Sequence, residues 1–392
     1  MIPSLRQPFN AAFTPAKYEA FRARLDEVCG TSVGFRNCET PCFFPKPLID
    51  RMARDGADLI RQLIAPEYRA ISRQAVPPQY DVPSEPEHPL FLQVDFGLVR
   101  EPSGDITPKL VEIQAFPSLY AYQPVLSQVY LDCYSLDGKL QYLFGGLDQK
   151  KYRALLGRAI LNGHDPENVV LMDIDPYHQK TLCDFLLTEK WFGVRPISVT
   201  DIQTEANRLY YTRDGRRIPI HRIYNRAIVD ELQRRGIAPS FDFRDDLEVE
   251  WAGHPNDYFH ISKFSIPYLR HPTVPQTWFL DQLHHIPQDT SQYVLKPLYS
   301  FAGLGVRIGP TRQEVMSVPR EQRHNYILQE RVHFEPVIQT PFGLTGAEIR
   351  IMYIWLEELL PVSLLVRMGR GVMMGVDHNK DMEWVGASAG LF

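Results

Sequence analysis

The chain has 392 residues, 44% of them apolar and 23% charged, with a formal net charge of −5. That length exceeds what one hydrophobic core usually serves, so two or three domains or joined lobes are expected. There is no long basic block, which leaves binding to nucleic acid or a membrane surface without electrostatic support, and no apolar run approaches the roughly 18 residues of a spanning helix.

The N-terminus, Met1-Ile2-Pro3-Ser4, has no apolar core of signal-peptide length, so a cytoplasmic protein is expected. Residues 1–88 read as a helical N-terminal segment, with helices opening at Pro15-Ala16-Lys17 and at Pro47-Leu48-Ile49. The five cysteines, Cys29, Cys38, Cys42, Cys133 and Cys183, are scattered and odd in number, a poor disulfide framework. Cys38-x3-Cys42 has no second pair at a zinc-like spacing and reads as two packed thiols. Residues 76–89 hold five prolines and read as a loop or linker.

Residues 89–164 begin with strand-like sequence over 91–116 and turn helical over 119–162. Residues 165–260 show a β-α-β pattern: a strand at 168–175, a helix near 178–190 and a strand at 194–199, consistent with a small Rossmann-like lobe. A hairpin is expected inside it, from 209–212 through Asp214-Gly215 to 218–224. Residues 261–392 predict strands at 293–297, 305–308, 326–331, 348–355 and 360–367 and a helix near 311–317, mostly antiparallel. The fold class is α+β.

The strands at 91–116 form an acidic hairpin. A two-residue tip at Ser103-Gly104 sets Asp95 directly opposite Glu112, with Gln114 on the same face as Glu112. Facing like charges are destabilising, and a hard divalent cation suits this oxygen-rich set better than a solvated face does, because Glu112 lies in an otherwise apolar run.

Downstream, Tyr293-Val294-Leu295-Lys296-Pro297 is an apolar strand ending in a lysine, followed by the glycine loop Ser300-Phe301-Ala302-Gly303-Leu304-Gly305. Such a loop lets backbone N–H groups approach phosphate while the lysine neutralises it. Tyr326-Ile327-Leu328-Gln329-Glu330-Arg331-Val332, then Glu335, offers backbone groups to an adenine edge and carboxylates to ribose. With a tip at Glu357-Glu358, Glu348 pairs with Arg367 and Arg350 shares their face. Two arginines on one face suit a triphosphate, and a structural ion pair fits Glu348 equally well.

Together these elements resemble the ATP-grasp superfamily. The Val-Leu-Lys-Pro strand with its glycine loop, the Gln-Glu-Arg-Val hinge and Glu348-Ile349-Arg350 match it in order and spacing. In that family the metal carboxylates follow the lysines. Here they precede them, at Asp95 and in Glu112-Ile113-Gln114-Ala115-Phe116-Pro117. This order is similar to circularly permuted members such as the synthetase domain of glutathionylspermidine synthase. The departures are Gln114, in place of an asparagine, and Gln93, where that enzyme has an arginine.

The resemblance implies an ATP-grasp fold with a Rossmann-like lobe before the lysines. It implies ATP and two Mg²⁺ ions as cofactors, with Asp95, Glu112 and Gln114 as metal ligands. Lys263, in His260-Ile261-Ser262-Lys263, and Lys296 would take the α and β phosphates. Ser300, Gly303, Gly305, Gln329, Glu330, Arg331, Val332 and Glu335 would complete the nucleotide site. Arg350, Arg367 and Asn379 would stabilise the migrating phosphoryl group. The implied reaction ligates a small-molecule or peptide carboxylate to an amine through an acyl phosphate. A small-molecule kinase and a non-catalytic ATP-binding regulator are the alternatives. Asn225-Arg226 fits a substrate contact and a buried structural arginine equally, and His284-His285 reads as a surface pair.

Overall fold

Alternating apolar positions build a central sheet in a computed structural model that describes residues 1–300, 303–379 and 381–392. Phe301 and Ala302 of the expected glycine loop, and Lys380 next to Asn379, lie outside the described residues. The sheet runs in the order Cys42–Phe43, Gly386–Leu391, Leu359–Gly369, Gly343–Trp355, Phe91–Arg100, Ile106–Gln114. All its pairings are antiparallel except the first. An N-terminal hairpin therefore lies hydrogen-bonded beside a C-terminal one.

The two faces of this sheet differ. Val94, Phe96, Ile349, Ile351, Leu364 and Val366 form the apolar face, packed with Ile49, Met52 and Ile60 of helix Lys46–Gln62. Burying each such side chain contributes about 1.5–3 kcal/mol. Phe91, Met352, Ile354 and Leu365 on the opposite face pack with helix Tyr122–Cys133. Further along that same face come Gln93, Asp95, Glu348 and Arg350, since strand side chains alternate.

A second, wholly parallel sheet runs Glu250–Ala252, Arg222–Asn225, Val169–Asp173, Arg195–Ser198, with helix Leu182–Phe192 beside it. A third, antiparallel sheet runs Thr277–Phe279, Tyr326–Glu330, Tyr293–Pro297, Arg307–Ile308. The architecture is α+β with mixed sheets.

Several expectations change. The strand expected over 218–224 breaks at His221: Arg216–Ile220 closes the hairpin and Arg222–Asn225 joins the parallel sheet. The 76–89 linker is fastened rather than loose. The Asn256 amide donates to Asp81 and to the Val82 carbonyl, both at 3.0 Å, and His260 pairs with Glu85 at 2.8 Å. Strand Gly386–Leu391 is not among the expected strands: it reads Gly-Ala-Ser-Ala-Gly-Leu and lacks the β-branched residues that mark a strand. Cys38 and Cys42 are buried, and burial pushes both thiols up, Cys42 to about 12.

Candidate functional site

The acidic hairpin and the hairpin of Gly343–Trp355 and Leu359–Gly369 meet edge to edge, with Arg350 paired to Asp95. Within the acidic hairpin Asp95 pairs with Glu112 and Gln93 with Gln114. The expected two-residue tip is instead the five-residue turn 101–105, closed by Gly104 N–H donating to the Glu101 carbonyl. That change alone would have shifted the register by one. A bulge at Val111 shifts it back. The same compensation occurs in the second hairpin, where the tip is 356–358 and the bulge lies at Val362, and Glu348 pairs with Arg367.

Seven charged side chains converge on this floor. Arg350 donates to Asp95 through Nε at 2.6 Å and Nη2 at 2.7 Å, and to the Gln93 oxygen at 2.7 Å. Arg367 bridges Asp95 and Glu348. Lys263 pairs with Glu112 at 3.0 Å and donates to the Ser300 carbonyl at 3.1 Å. Lys296 donates to the Val111 carbonyl at 3.0 Å, so the bulge that restores the register also supplies an acceptor. Four cations thus face three carboxylates, leaving one positive charge in excess.

Electrostatics follow from this packing. Burial raises the Asp95 carboxyl, but Arg350 and Arg367 outweigh it and hold the group below the usual range. Burial likewise works against Glu112, and Lys263 and Lys296 together more than offset it. Burial lifts Glu348 despite Arg367. For Lys296 burial dominates, and the ammonium is pushed down to about 8 although Glu112 opposes the change.

The nucleotide-site candidates divide into two groups. Gln329 pairs with Val294 across the antiparallel sheet, and Ile327 with Lys296, so all four share one face. Gln329 is 1% exposed, and its Nε2 has no hydrogen-bond partner among the described residues. The buried Ser300 hydroxyl also lacks one among them. Gly303 and Gly305 have φ of +75° and +74°, and a Cβ at Gly303 would sit 2.5 Å from the Met373 methyl, so the glycine loop touches the 371–379 loop.

The others are already occupied. The Glu330 and Arg331 N–H groups donate to the Gln276 and Gln292 carbonyls, both at 2.8 Å, and are not free for an adenine edge. The Glu330 side chain is exposed. Val332 packs with Phe334 over Gly97, where a Cβ would lie 2.8 Å from each. Glu335 is paired with Arg100 at 2.7 Å. Asn379 accepts from the Arg370 and Gly371 N–H groups and donates to the Met373 and Gly375 carbonyls. All of its hydrogen-bonding capacity is spent tying one loop. Asn225 and Arg226 take no part in the ion pairs of the charged floor; Asn225 ends a parallel strand, and the Arg226 guanidinium lies over Phe116 at 4.6 Å.

As held, Asp95, Glu112 and Gln114 do not fit a divalent ion. Both Asp95 oxygens accept from guanidinium groups. The Gln114 amide end lies 2.9 and 3.0 Å from two Arg350 nitrogens, where only its oxygen makes a hydrogen bond. Glu112 alone keeps an oxygen free of a cationic partner. Among the described residues no cluster of three His, Cys, Asp or Glu side chains suits a metal. From sequence, Gln93 reads only as a departure from the pattern of the family the chain resembles. Its position two residues before Asp95, on the same face, is the signal that would have found it as a partner of Arg350.

No family profile and no curated protein matches this chain. Among solved structures, the chain is similar to a glutathione synthetase-like effector (GSS30) from Globodera pallida in apo form. The TM-score is 0.59 at 11% identity, over 97% of this chain and 98% of that one. The likeness extends over essentially both chains and concerns the fold. Among the described residues no helix is long and apolar enough to cross a membrane.

Proposed function

We propose that the chain is an ATP-dependent ligase of the ATP-grasp type that joins a carboxylate to an amine, with ATP held between the third sheet and the charged floor. One observation carries this reading: two lysines and two arginines converge on one buried floor with a cation in excess. A triphosphate is the kind of ligand such a floor suits. The Gln329 amide nitrogen, without a partner among the described residues and on the same face as Lys296, supplies a polar contact for the nucleotide.

The fold likeness to a glutathione synthetase-like protein supports the ligase class. The N-terminal hairpin lying beside the C-terminal one supports the circularly permuted order, because the carboxylate-bearing strands reach the floor from the opposite end of the chain. The parallel sheet with its helix supports the Rossmann-like lobe. In the proposed reaction a substrate carboxylate oxygen attacks the γ-phosphorus and ADP leaves. The amine nitrogen then attacks the acyl carbon and phosphate leaves. Lys263 and Lys296 neutralise the phosphates; Arg350 and Arg367 face the charge that develops during transfer.

The test is incubation with ATP, pooled carboxylic acids and pooled amines, followed by mass spectrometry. The expected products are ADP, free phosphate and an amide. A stable phosphorylated acid instead would make the protein a kinase. A second reading, ATP binding without turnover, is favoured by the closure of both Asp95 oxygens; ATP bound but never consumed across broad pools would establish it and sink the ligase.

A further inference from the structure

The misfit between Asp95 and a divalent ion has a constructive reading. Asp95 is 1% exposed and sits between two strands of the sheet, where it joins two guanidinium groups rather than one. It accepts twice from Arg350 and once from Arg367. Arg350 is further fixed by the Gln93 oxygen at 2.7 Å, and Gln93 is itself anchored to the Ser118 carbonyl at 2.9 Å. Arg367 is held from its other side by Glu348. Guanidinium groups caught this way lose little further freedom when an anion arrives, which is how a floor is pre-organised for a polyanion. A carboxylate whose two oxygens both accept from guanidinium groups has little left to offer a cation.

We infer that Asp95 is a positioning residue for Arg350 and Arg367, and that this floor binds a polyphosphate through its own cations without Asp95 ligating a metal. The inference rests on the polyanion reading of the site proposed above, but not on the ligase activity.

The experiment measures the Kd of ATP and of inorganic tripolyphosphate by calorimetry, in EDTA and in excess Mg²⁺, for the wild type, Asp95→Asn and Glu112→Gln. For Asp95→Asn the expected result is a Kd shifted at least fivefold by the same factor in both media, so that the Mg²⁺/EDTA ratio stays within twofold of wild type. Glu112→Gln, which removes the expected metal ligand that keeps an oxygen free of a cationic partner, raises that ratio. A ratio that rises only in Asp95→Asn makes Asp95 a metal ligand and overturns the inference. An unchanged Kd in both media leaves Asp95 a merely structural group and overturns it too.

Mn²⁺ titrated into the wild type, followed by electron paramagnetic resonance, covers a variant that fails to fold. No ion bound at micromolar levels is expected, and a tight site there contradicts the inference. Tripolyphosphate binding without ATP binding would remove the nucleotide reading and spare this one. Binding of neither would remove both.

Discussion

The two sides of the charged floor hold their cations differently. On the central sheet, Arg350 and Arg367 are locked by carboxylates, and the Arg350–Asp95 pair is doubly bonded. On the lysine side, Lys296 rests on a backbone carbonyl and Lys263 divides itself between Glu112 and another carbonyl. The first side spends its charge on structure. The second keeps charge that the fold tolerates poorly, as the lowered Lys296 shows. A site built this way separates a rigid frame from a ligand-responsive half, and substitutions on the two sides should therefore fail in different ways.

The largest effect is expected on the rigid side. Arg350→Met strands Asp95 and Gln93 in the sheet with Arg367 as the remaining cation, and stability should fall by about 3 kcal/mol, the lower end for a broken buried pair. Urea unfolding measures this, and a loss under 1 kcal/mol would erase the distinction between the two sides.

Lys296→Met should behave oppositely. Because burial already disfavours the ammonium, stability should move by less than about 1 kcal/mol, while ATP affinity should drop roughly tenfold for the lost phosphate contact. Paired melts and calorimetry would show it, and a large loss of stability would place Lys296 with the arginines.

The smallest effect is on pH dependence. The folded value of about 8 lies below the ordinary lysine value of 10.5. Between these values the unfolded chain binds more protons, so the Lys296 contribution to stability rises with pH across that window and is flat outside it. ATP affinity should fall as pH rises through about 8, because the ligand prefers the charged form. Lys296→Met should flatten both trends, and a wild-type affinity that is constant from pH 7 to 9 would sink this account of the lysine.

Much of the floor was legible because strand alternation is a short-range rule. Asp95 opposite Glu112, and Glu348 opposite Arg367, follow from alternation and a turn position, although in each hairpin an odd-length tip and a one-residue bulge had to cancel. That cancellation is invisible to a pattern of period two. The partner of each charge was also invisible. Asp95 faces Arg350 only because strands 255 residues apart in sequence lie side by side, and an oxygen-rich hairpin looks like a metal site until the guanidinium beside it is known. The family resemblance implies a phosphoryl contact for Asn379, yet its hydrogen bonds all go to its own loop, a local closure that a resemblance does not report. In the N-terminal segment, Cys42–Phe43 could not be read as the outer strand of the central sheet, because its partner Gly386–Leu391 has no strand signature of its own.

The most direct test of the central claim is calorimetric titration of ATP into the wild type and into Lys263→Met/Lys296→Met, with circular dichroism confirming that both are folded. The account predicts saturable one-to-one binding to the wild type and at least a hundredfold loss in the double variant. A wild type that fails to bind ATP at millimolar concentration, or a folded double variant that binds it equally well, would contradict it.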